Sequence, residues 1–226
     1  MEAVTPTERT RLRRLPKRAA YERVTINSIL DEALICHIGF VQDGQPFTIP
    51  TLHVRQDDQL YVHGSAASRM LKTASDTMPI CVTVTLIDGL VLARSAFHHS
   101  VNYRSVVILG TAVRVDDREA KVGMLRAMVE KLVPYRWQNT RPPTDQELAA
   151  TMVLRLPIEE ASAKVRVGQA MDDEGDYALP HWAGVIPLHL RAGTPIPDPR
   201  MTADIATPMH VLDFARNSPA VRNGTK

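Results

Sequence analysis

The chain has 226 residues, of which 44% are hydrophobic and 23% charged, and its formal net charge is +2 at pH 7. This length and composition are typical of an ordinary soluble protein with one main domain. The net charge is too small to imply a polyanionic partner, so we expect no nucleic-acid partner. The N-terminus lacks the apolar core of a signal peptide and no stretch approaches a membrane span, so we expect a cytoplasmic protein without a membrane partner.

Residues 1–19 form a basic N-terminal arm. Such a run could contact nucleic acid or an anionic membrane. The alternative that we adopt is a solvated arm that folds onto the body or stays mobile. Because the arm has little apolar content, we expect it to add little to the core and to be dispensable for cofactor binding. Its basic side chains are Arg9, Arg11, Arg13, Arg14, Lys17 and Arg18.

Cys36 and Cys81 each lie inside an apolar run. Two widely spaced cysteines form neither a disulfide framework nor a metal-binding motif. Buried free thiols behave as small hydrophobic groups, which suits a reducing compartment.

The hydrophobic period changes along the chain. From Thr25 to Leu34, apolar residues recur every three or four positions, which predicts a helix with one buried face. Later segments alternate apolar and polar residues, as strands do, and acidic or Asp-Gly turns separate several of them. The predicted strands are Cys36–Phe40, Phe47–Val54, Leu60–His63, Ile80–Ile87, Leu90–Arg94, Ser105–Val115, Met152–Leu156 and Trp182–Leu190, with further helices at Gly64–Lys72, after Asp116-Asp117 and after Thr144.

Strands joined by tight turns must be antiparallel, since a parallel crossover needs a dozen or more residues. About eight such strands with helices between them predict an α+β fold, an antiparallel barrel with peripheral helices. This single domain covers residues 20–192. Residues 193–226 are rich in proline and are expected to form an irregular tail.

The segment Tyr61–Lys72 ends a strand and starts a predicted helix. Free backbone N–H groups and the helix dipole favour a phosphate at such a place. Ser65, Ser68 and Arg69 could add hydroxyl and guanidinium donors. The alternative is an ordinary helix start, with Ser65 as the N-cap and Arg69 in solvent.

Three further features allow a site but do not specify one. The polar connection Arg94–Ser105 could be a cofactor rim, a metal site using His98 and His99, or a solvated loop. Lys164 and Arg166 could meet an anion, or pair with the acidic run at residues 172–176. Trp182 could lie on a ring system or fill the core.

There is no Gly-x-Gly-x-x-Gly, Walker loop or Gly-x-Ser-x-Gly, which argues against a dinucleotide fold, an NTPase and an α/β-hydrolase.

Taken together, these segments resemble the flavin-nucleotide-binding branch of the pyridoxamine 5′-phosphate oxidase-like proteins, close to the nitroimidazole-resistance proteins. The likeness runs in family order from about residue 20 to 190. Each motif alone is weak, whereas the ordered set is specific. The matching residues are Ile29-Leu30-Asp31-Glu32, Pro46-Phe47-Thr48-Ile49-Pro50-Thr51, Leu60-Tyr61-Val62-His63-Gly64-Ser65-Ala66-Ala67-Ser68-Arg69, Asn102-Tyr103-Arg104-Ser105-Val106 and Trp182-Ala183-Gly184.

The resemblance implies a split β-barrel that forms a homodimer, with one FMN in each of two clefts between the subunits. It also implies a role for each matching residue. By this likeness, Pro50 and Thr51 line the flavin ring, and Trp182 closes the site. The phosphate end would be held by His63, Ser65, Ser68 and Arg69, and the ring or ribityl chain would be approached by Asn102, Tyr103, Arg104 and Ser105.

The leading functional expectation is an FMN-dependent oxidoreductase that uses a small-molecule electron donor or acceptor, such as a nitroaromatic or a quinone. No residue stands out as a catalytic acid or base. Vitamin-converting oxidases carry basic residues in the strand that here reads Phe47–Thr51, which has none. The alternatives are a non-enzymatic flavin-binding or flavin-sensing protein, a haem-binding relative with histidine ligation, and a deazaflavin cofactor.

Overall fold

The computed structural model describes residues 2–68, 79–201 and 205–217. In this part of the chain, helices are short and strands dominate. The helices are α1 (Arg23–Glu32), α2 (Arg118–Leu132), α3 (Asp145–Ala150) and α4 (Met209–Asn217). The strands are β1 (Ala19–Ala20), β2 (Ile35–Gln42), β3 (Gln45–Gln56), β4 (Gln59–Ser65), β5 (Pro79–Leu92), β6 (Ser100–Thr111), β7 (Val113–Val115), β8 (Thr151–Pro157), β9 (Glu160–Arg166) and β10 (Gly184–Pro187).

The strands form one antiparallel sheet in the order β1-β9-β6-β5-β2-β3-β4-β8-β7, and β10 pairs with the second half of β5. The long strand β3 joins the two halves of this sheet. Its residues 45–52 pair with β2, whereas residues 53–56 pair with β4. The sheet is therefore not closed, and the α+β split-barrel fold expected from the sequence is confirmed.

The core lies between α1 and the inward face of the sheet. Ile26, Ile29 and Leu30 are at most 1% exposed, which confirms this part of the predicted helical stripe, whereas Leu34, also expected in it, follows the helix and is 38% exposed. The three buried residues pack with strand residues such as Val84 and Ile108, which have no exposed surface. One face of the sheet is therefore buried in the core, and the opposite face can contact other molecules.

Two predicted helix starts are present. The Asp117 side chain accepts a hydrogen bond from the Ala120 N–H at 2.7 Å and caps α2. Thr144 and Glu147 form a reciprocal capping box at the start of α3. None of the helices in the described residues is long and apolar enough to cross a membrane.

The predicted turn at Asp88-Gly89 is wrong. Residues 79–92 form one continuous strand, and the register shifts at Asp88 in a β-bulge. A Cβ on Gly89 would lie 3.1 Å from the carbonyl oxygen of Ile186, so the glycine lets β10 approach closely. Here Asp-Gly marks a bulge and a close backbone contact, which are other known uses of glycine in a strand.

Other boundaries differ from the predictions as well. β6 begins at Ser100, so the polar connection is short, and the segment containing Lys164 and Arg166 is a full strand, β9. The predicted irregular tail contains α4. Of the predicted helix Gly64–Lys72, residues 69–72 lie outside the described residues, and Gly64 and Ser65 still belong to β4.

The N-terminal arm packs against the body. Val4 is 3% exposed, belongs to the main core, and its N–H donates to the Tyr21 carbonyl oxygen at 2.8 Å. Thr7 and Arg9 both donate to Glu160 on β9. The expectation that the arm adds little to the core is therefore wrong, because a few well-placed residues suffice to dock a polar segment.

Candidate functional site

The sheet presents an outer face opposite the core, which is mostly uncharged on β2, β3, β5 and β6 and carries Lys164 and Arg166 on β9. Strand alternation and register define it, since directly paired residues point to the same side. One row runs from β3 to β9 through Pro50, His37, Thr83, Val107 and Ser162. We use the name outer face for the side of the sheet marked by Pro50, His37, Thr83, Thr85, Tyr103 and Ser105.

Beside this face, the edge of β3 is open. Residues 45–52 have β2 on one side and no strand on the other within the described chain. Phe47 stacks on Phe40 at 5.4 Å but keeps 41% of its surface exposed. Pro50 suits such an edge because it has no N–H to leave unpaired. The open edge therefore offers backbone hydrogen-bonding groups and apolar surface to a ligand or a second chain.

A cavity of about 460 Å³ lies at the end of these strands. Gly39, Thr48, Cys81 and Leu109 contribute to its wall, and Arg9 reaches it from the N-terminal arm. It is an open depression on the surface and not an enclosed site. The open edge of β3 and this cavity are continuous through Thr48.

His63, Ser65 and Ser68 cluster where β4 ends. The Ser65 hydroxyl accepts the Ala67 N–H at 3.1 Å, and the Ser68 N–H donates to the Ser65 carbonyl oxygen at 2.8 Å, which forms a tight turn. His63 Nδ1 is buried without a hydrogen-bond partner in the described structure, and burial lowers its pKa. Arg69, the fourth residue predicted to bind the phosphate, lies outside the described residues.

Residues 102–105 do not act as one unit, because they alternate across β6. Tyr103 and Ser105 point to the outer face. Arg104 donates to Asp88 at 2.7 Å and to Glu32 at 2.8 Å, and these carboxylates raise its pKa. Its guanidinium is thus already occupied.

The side chain of Asn102, like that of Arg104, already has hydrogen-bond partners within the protein. It donates to the Gly168 carbonyl oxygen at 3.1 Å and accepts a hydrogen bond from Arg166. The structure therefore places Pro50, Tyr103 and Ser105 on the same side of the sheet, with β2 and β5 between Pro50 and the other two, and it gives the Asn102 side chain protein partners.

The acidic run pairs with the loop before β6 and not with Lys164 or Arg166. The Asp172 carboxylate is fully buried and accepts the Arg94 N–H at 3.0 Å and the Ser95 N–H at 3.2 Å. His98 lies 3.5 Å from Asp173. No group of three or more metal-ligating side chains is found in the described ranges.

Trp182 and Thr51 occupy different environments. Trp182 is 68% exposed, so it does not fill the core of this chain. Its ring covers Gly184, where a Cβ would lie only 2.9 Å away. Thr51 pairs with the core residue Cys36 and is half-buried at the open edge of β3. An exposed indole near the sheet is free to contact another molecule.

The outer-face residues Thr83 and Thr85 could not be identified as site residues from the sequence. Their alternation with core residues was visible, but only the register places them between Pro50 and Ser105. Cross-strand register is set by tertiary pairing, which a single sequence shows weakly.

The family model described as pyridoxamine 5′-phosphate oxidase matches residues 22–165. The chain belongs to this pyridoxamine 5′-phosphate oxidase family. The flavocytochrome Anf3 from Azotobacter vinelandii is 43% identical, with 93% of this chain and 98% of that one covered and a TM-score of 0.88. The FAD and haem binding protein from Mycobacterium smegmatis is 34% identical, with 88% and 97% covered and a TM-score of 0.84.

A more distant member of the same fold is a candidate 5-nitroimidazole antibiotic resistance protein from Bacteroides thetaiotaomicron. It is 21% identical, covers 65% of this chain and 86% of its own length, and has a TM-score of 0.53. This likeness shows the shared fold. The comparison with curated proteins returned no match.

Proposed function

We propose that this family member binds a flavin nucleotide against the outer face and the open edge of β3, and that it works as a flavin-dependent oxidoreductase. The observation that carries the proposal is a face of Thr, Ser and Tyr side chains beside an unpaired strand edge, with the cationic residues Lys164 and Arg166 at its β9 border. A flavin ring is flat and apolar on its faces and has hydrogen-bonding groups on its rim. The hydroxyl groups of Thr83, Thr85 and Ser105 and the backbone of residues 45–52 suit it.

FAD is the form of flavin that we propose. The family resemblance implies FMN, but the relative from Mycobacterium smegmatis, at 34% identity over most of both chains, is described as binding FAD. Ser65 and Ser68 would hold the phosphate nearest the ring, together with Arg69. The deciding quantity is the mass of the flavin released from the purified protein.

A bound flavin would supply hydride or one-electron transfer. The chain would bind and orient the ring and exclude water. Trp182 and the exposed Ile186 on β10 leave apolar surface that a second copy of the chain would cover, so we propose a homodimer with Trp182 closing the partner's site. A mass of about twice 25.1 kDa in solution supports this assembly, and a flavin-loaded monomer contradicts it.

The flavin site is tested by titrating FAD, FMN and riboflavin into the protein stripped of cofactor. Arg69→Ala should weaken FAD and FMN by about ten- to a hundredfold, because a charge-assisted hydrogen bond contributes about 1.5–3 kcal/mol. Riboflavin, which has no phosphate, should bind both proteins equally. Arg126→Ala, on the exposed side of α2, is the matched control. Equal FAD affinity in Arg69→Ala and wild type would remove Arg69 from the site.

Enzymatic turnover is tested separately from binding. The flavin is reduced chemically and mixed with a quinone or a nitroaromatic without oxygen. Rapid reoxidation that depends on the acceptor supports an oxidoreductase. Slow reoxidation by every acceptor tried supports a non-enzymatic flavin-binding protein.

Haem binding is a second proposal for the same chain. Of the two relatives named above with high coverage, one is described as a flavocytochrome and the other as an FAD and haem binding protein. Haem iron needs an imidazole nitrogen with a free lone pair. His63 Nδ1 and His210 Nε2 are buried and have no hydrogen-bond partner in the described structure, which fits this requirement.

The two histidines are distinguished by substitution. Loss of the Soret band in His63→Ala or in His210→Ala identifies the ligand, with the exposed His181→Ala as the control. If haem added to the wild type gives no Soret shift, or if both variants retain it, the proposed ligation is refuted.

A further inference from the structure

The N-terminal arm carries a concentrated positive charge. Residues 1–19 contain six basic and two acidic side chains, so the net charge of the arm is +4 and that of the rest of the chain is −2. From Arg9 to Tyr21 there is no acidic residue. The molecule is therefore electrostatically polar although its total charge is small.

Much of this charge is accessible on the arm and on the adjacent strand β9, since Arg11, Arg14 and Lys17 are exposed and Arg18 and Lys164 are half-buried. We define the basic patch as Arg11, Arg14, Lys17, Arg18 and Lys164. None of these five side chains has a carboxylate within ion-pairing distance in the described residues. The nearby carboxylates are already used, because Glu8 pairs with Arg13 and Glu160 pairs with Arg9.

The arm is held in place and does not present its charges on a loose tail. The Leu12 N–H donates to the Tyr21 hydroxyl at 3.1 Å, and the Tyr21 hydroxyl donates to the Thr10 carbonyl oxygen at 3.3 Å. The Arg18 N–H donates to the Leu15 carbonyl oxygen at 3.0 Å. A patch fixed in this way binds a partner without a large cost in ordering its own backbone.

Arg166 adds a buried positive charge close to Arg18 of the patch. Its side chain is 7% exposed, and its described partners are Asn102 and the carbonyl oxygens of Gly168 and Gln169. No carboxylate pairs with it among the described residues. Burial and the positive charge of Arg18 lower its pKa. An acidic partner near Arg18 would offset this unbalanced charge.

The patch lies beside the proposed flavin face. Ala19 on β1 pairs with Lys164 on β9, and Lys164 pairs with Ser105 on the outer face. Neighbouring strands are about 4.8 Å apart, so between backbones Lys164 lies about 5 Å from Ser105 and the arm at Ala19 roughly 10 Å from it. A protein seated on the patch would be close to the redox group.

We propose that the basic patch docks a small acidic electron-carrier protein that exchanges electrons with the flavin. This inference rests on the proposed flavin function. Docking between redox proteins is commonly small, weak and driven by complementary charge. Single-stranded nucleic acid is disfavoured because the arm from Arg9 to Ala20 has no aromatic side chain for base stacking.

The test measures binding of the carrier protein with and without bound flavin, so that its result does not depend on the flavin proposal. Plant-type ferredoxin, a small acidic carrier, is titrated into the purified protein at ionic strengths of about 0.01 M and 0.1 M, and basic cytochrome c is the control carrier. Arg11→Glu combined with Arg14→Glu should weaken ferredoxin binding by about tenfold or more. Arg126→Glu combined with Arg191→Glu makes the same change in net charge at exposed residues that do not belong to the patch, and it should bind like wild type.

Each outcome decides a different claim. Salt-sensitive ferredoxin binding that is lost only in the Arg11 and Arg14 variant supports the patch, whether or not flavin is present. Absence of salt-sensitive binding, equal binding by both variants, or tighter binding to duplex DNA or phosphatidylserine vesicles overturns it. If ferredoxin binds but a flavin is absent, the proposed flavin function fails and the docking surface stands.

Discussion

Val4→Ala tests whether the N-terminal arm belongs to the folded body. Val4 is 3% exposed and packs in the main core, so the change removes two buried carbon atoms. At about 0.8 kcal/mol per buried methylene, with an added term for the cavity, the free energy of unfolding should fall by about 1.5–3 kcal/mol. For a protein of this size, the corresponding fall in Tm is about 3–12 °C.

The assay is urea unfolding followed by circular dichroism. Val24→Ala is the matched control, because Val24 lies on α1 but is 62% exposed, and its free energy of unfolding should change by less than about 0.5 kcal/mol. The dependence on urea should stay the same in both variants, since neither changes the area exposed on unfolding. If Val4→Ala is no more destabilising than Val24→Ala, the arm does not dock and the basic patch has no fixed shape.

Three further results are expected. Gly89→Ala should lower the free energy of unfolding by about 1–3 kcal/mol, because its Cβ would meet β10 at 3.1 Å. Gly123→Ala on α2, with nothing within 4 Å, should raise the free energy of unfolding by about 0.5–1 kcal/mol. Similar urea midpoints for the two variants would contradict the bulge geometry. Only Cys81 should react quickly with a thiol reagent in the native protein, because Cys36 is buried with its pKa raised to about 12, and Cys81→Ser should abolish the fast phase. Burial lowers the pKa of His53 from 6.5 to about 4, so the unfolded chain binds a proton at a higher pH than the folded chain does. As the pH falls from 6.5 to about 4, up to about 3 kcal/mol of the free energy of unfolding should therefore be lost. His53→Leu should flatten that pH dependence, and an unchanged slope would assign it to another group.

The elements and the family were within reach of the sequence because they depend on local patterns. The stripe of α1, the caps at Asp117 and Thr144 and the alternation in β2 and β3 are set by residues close in the chain. The ordered family motifs added the split barrel, which composition and periodicity alone do not specify.

The missed features depend on contacts between distant residues. Asp88-Gly89 has the composition of a turn, and only the approach of β10 and the pairing of Asp88 with Arg104 explain the bulge. The chain order Asn102 to Ser105 concealed that alternate residues face opposite sides. The docking of Val4 likewise depends on a core that is assembled from other segments.

The absorption spectrum and the released cofactor mass of freshly purified protein test the central claim most directly. We predict the two bands of oxidised flavin, a Soret band from haem, and a released flavin with the mass of FAD. Release of FMN would correct the form of the flavin and keep the site. A protein that carries no flavin and binds none when FAD, FMN or riboflavin is added would contradict the proposed function.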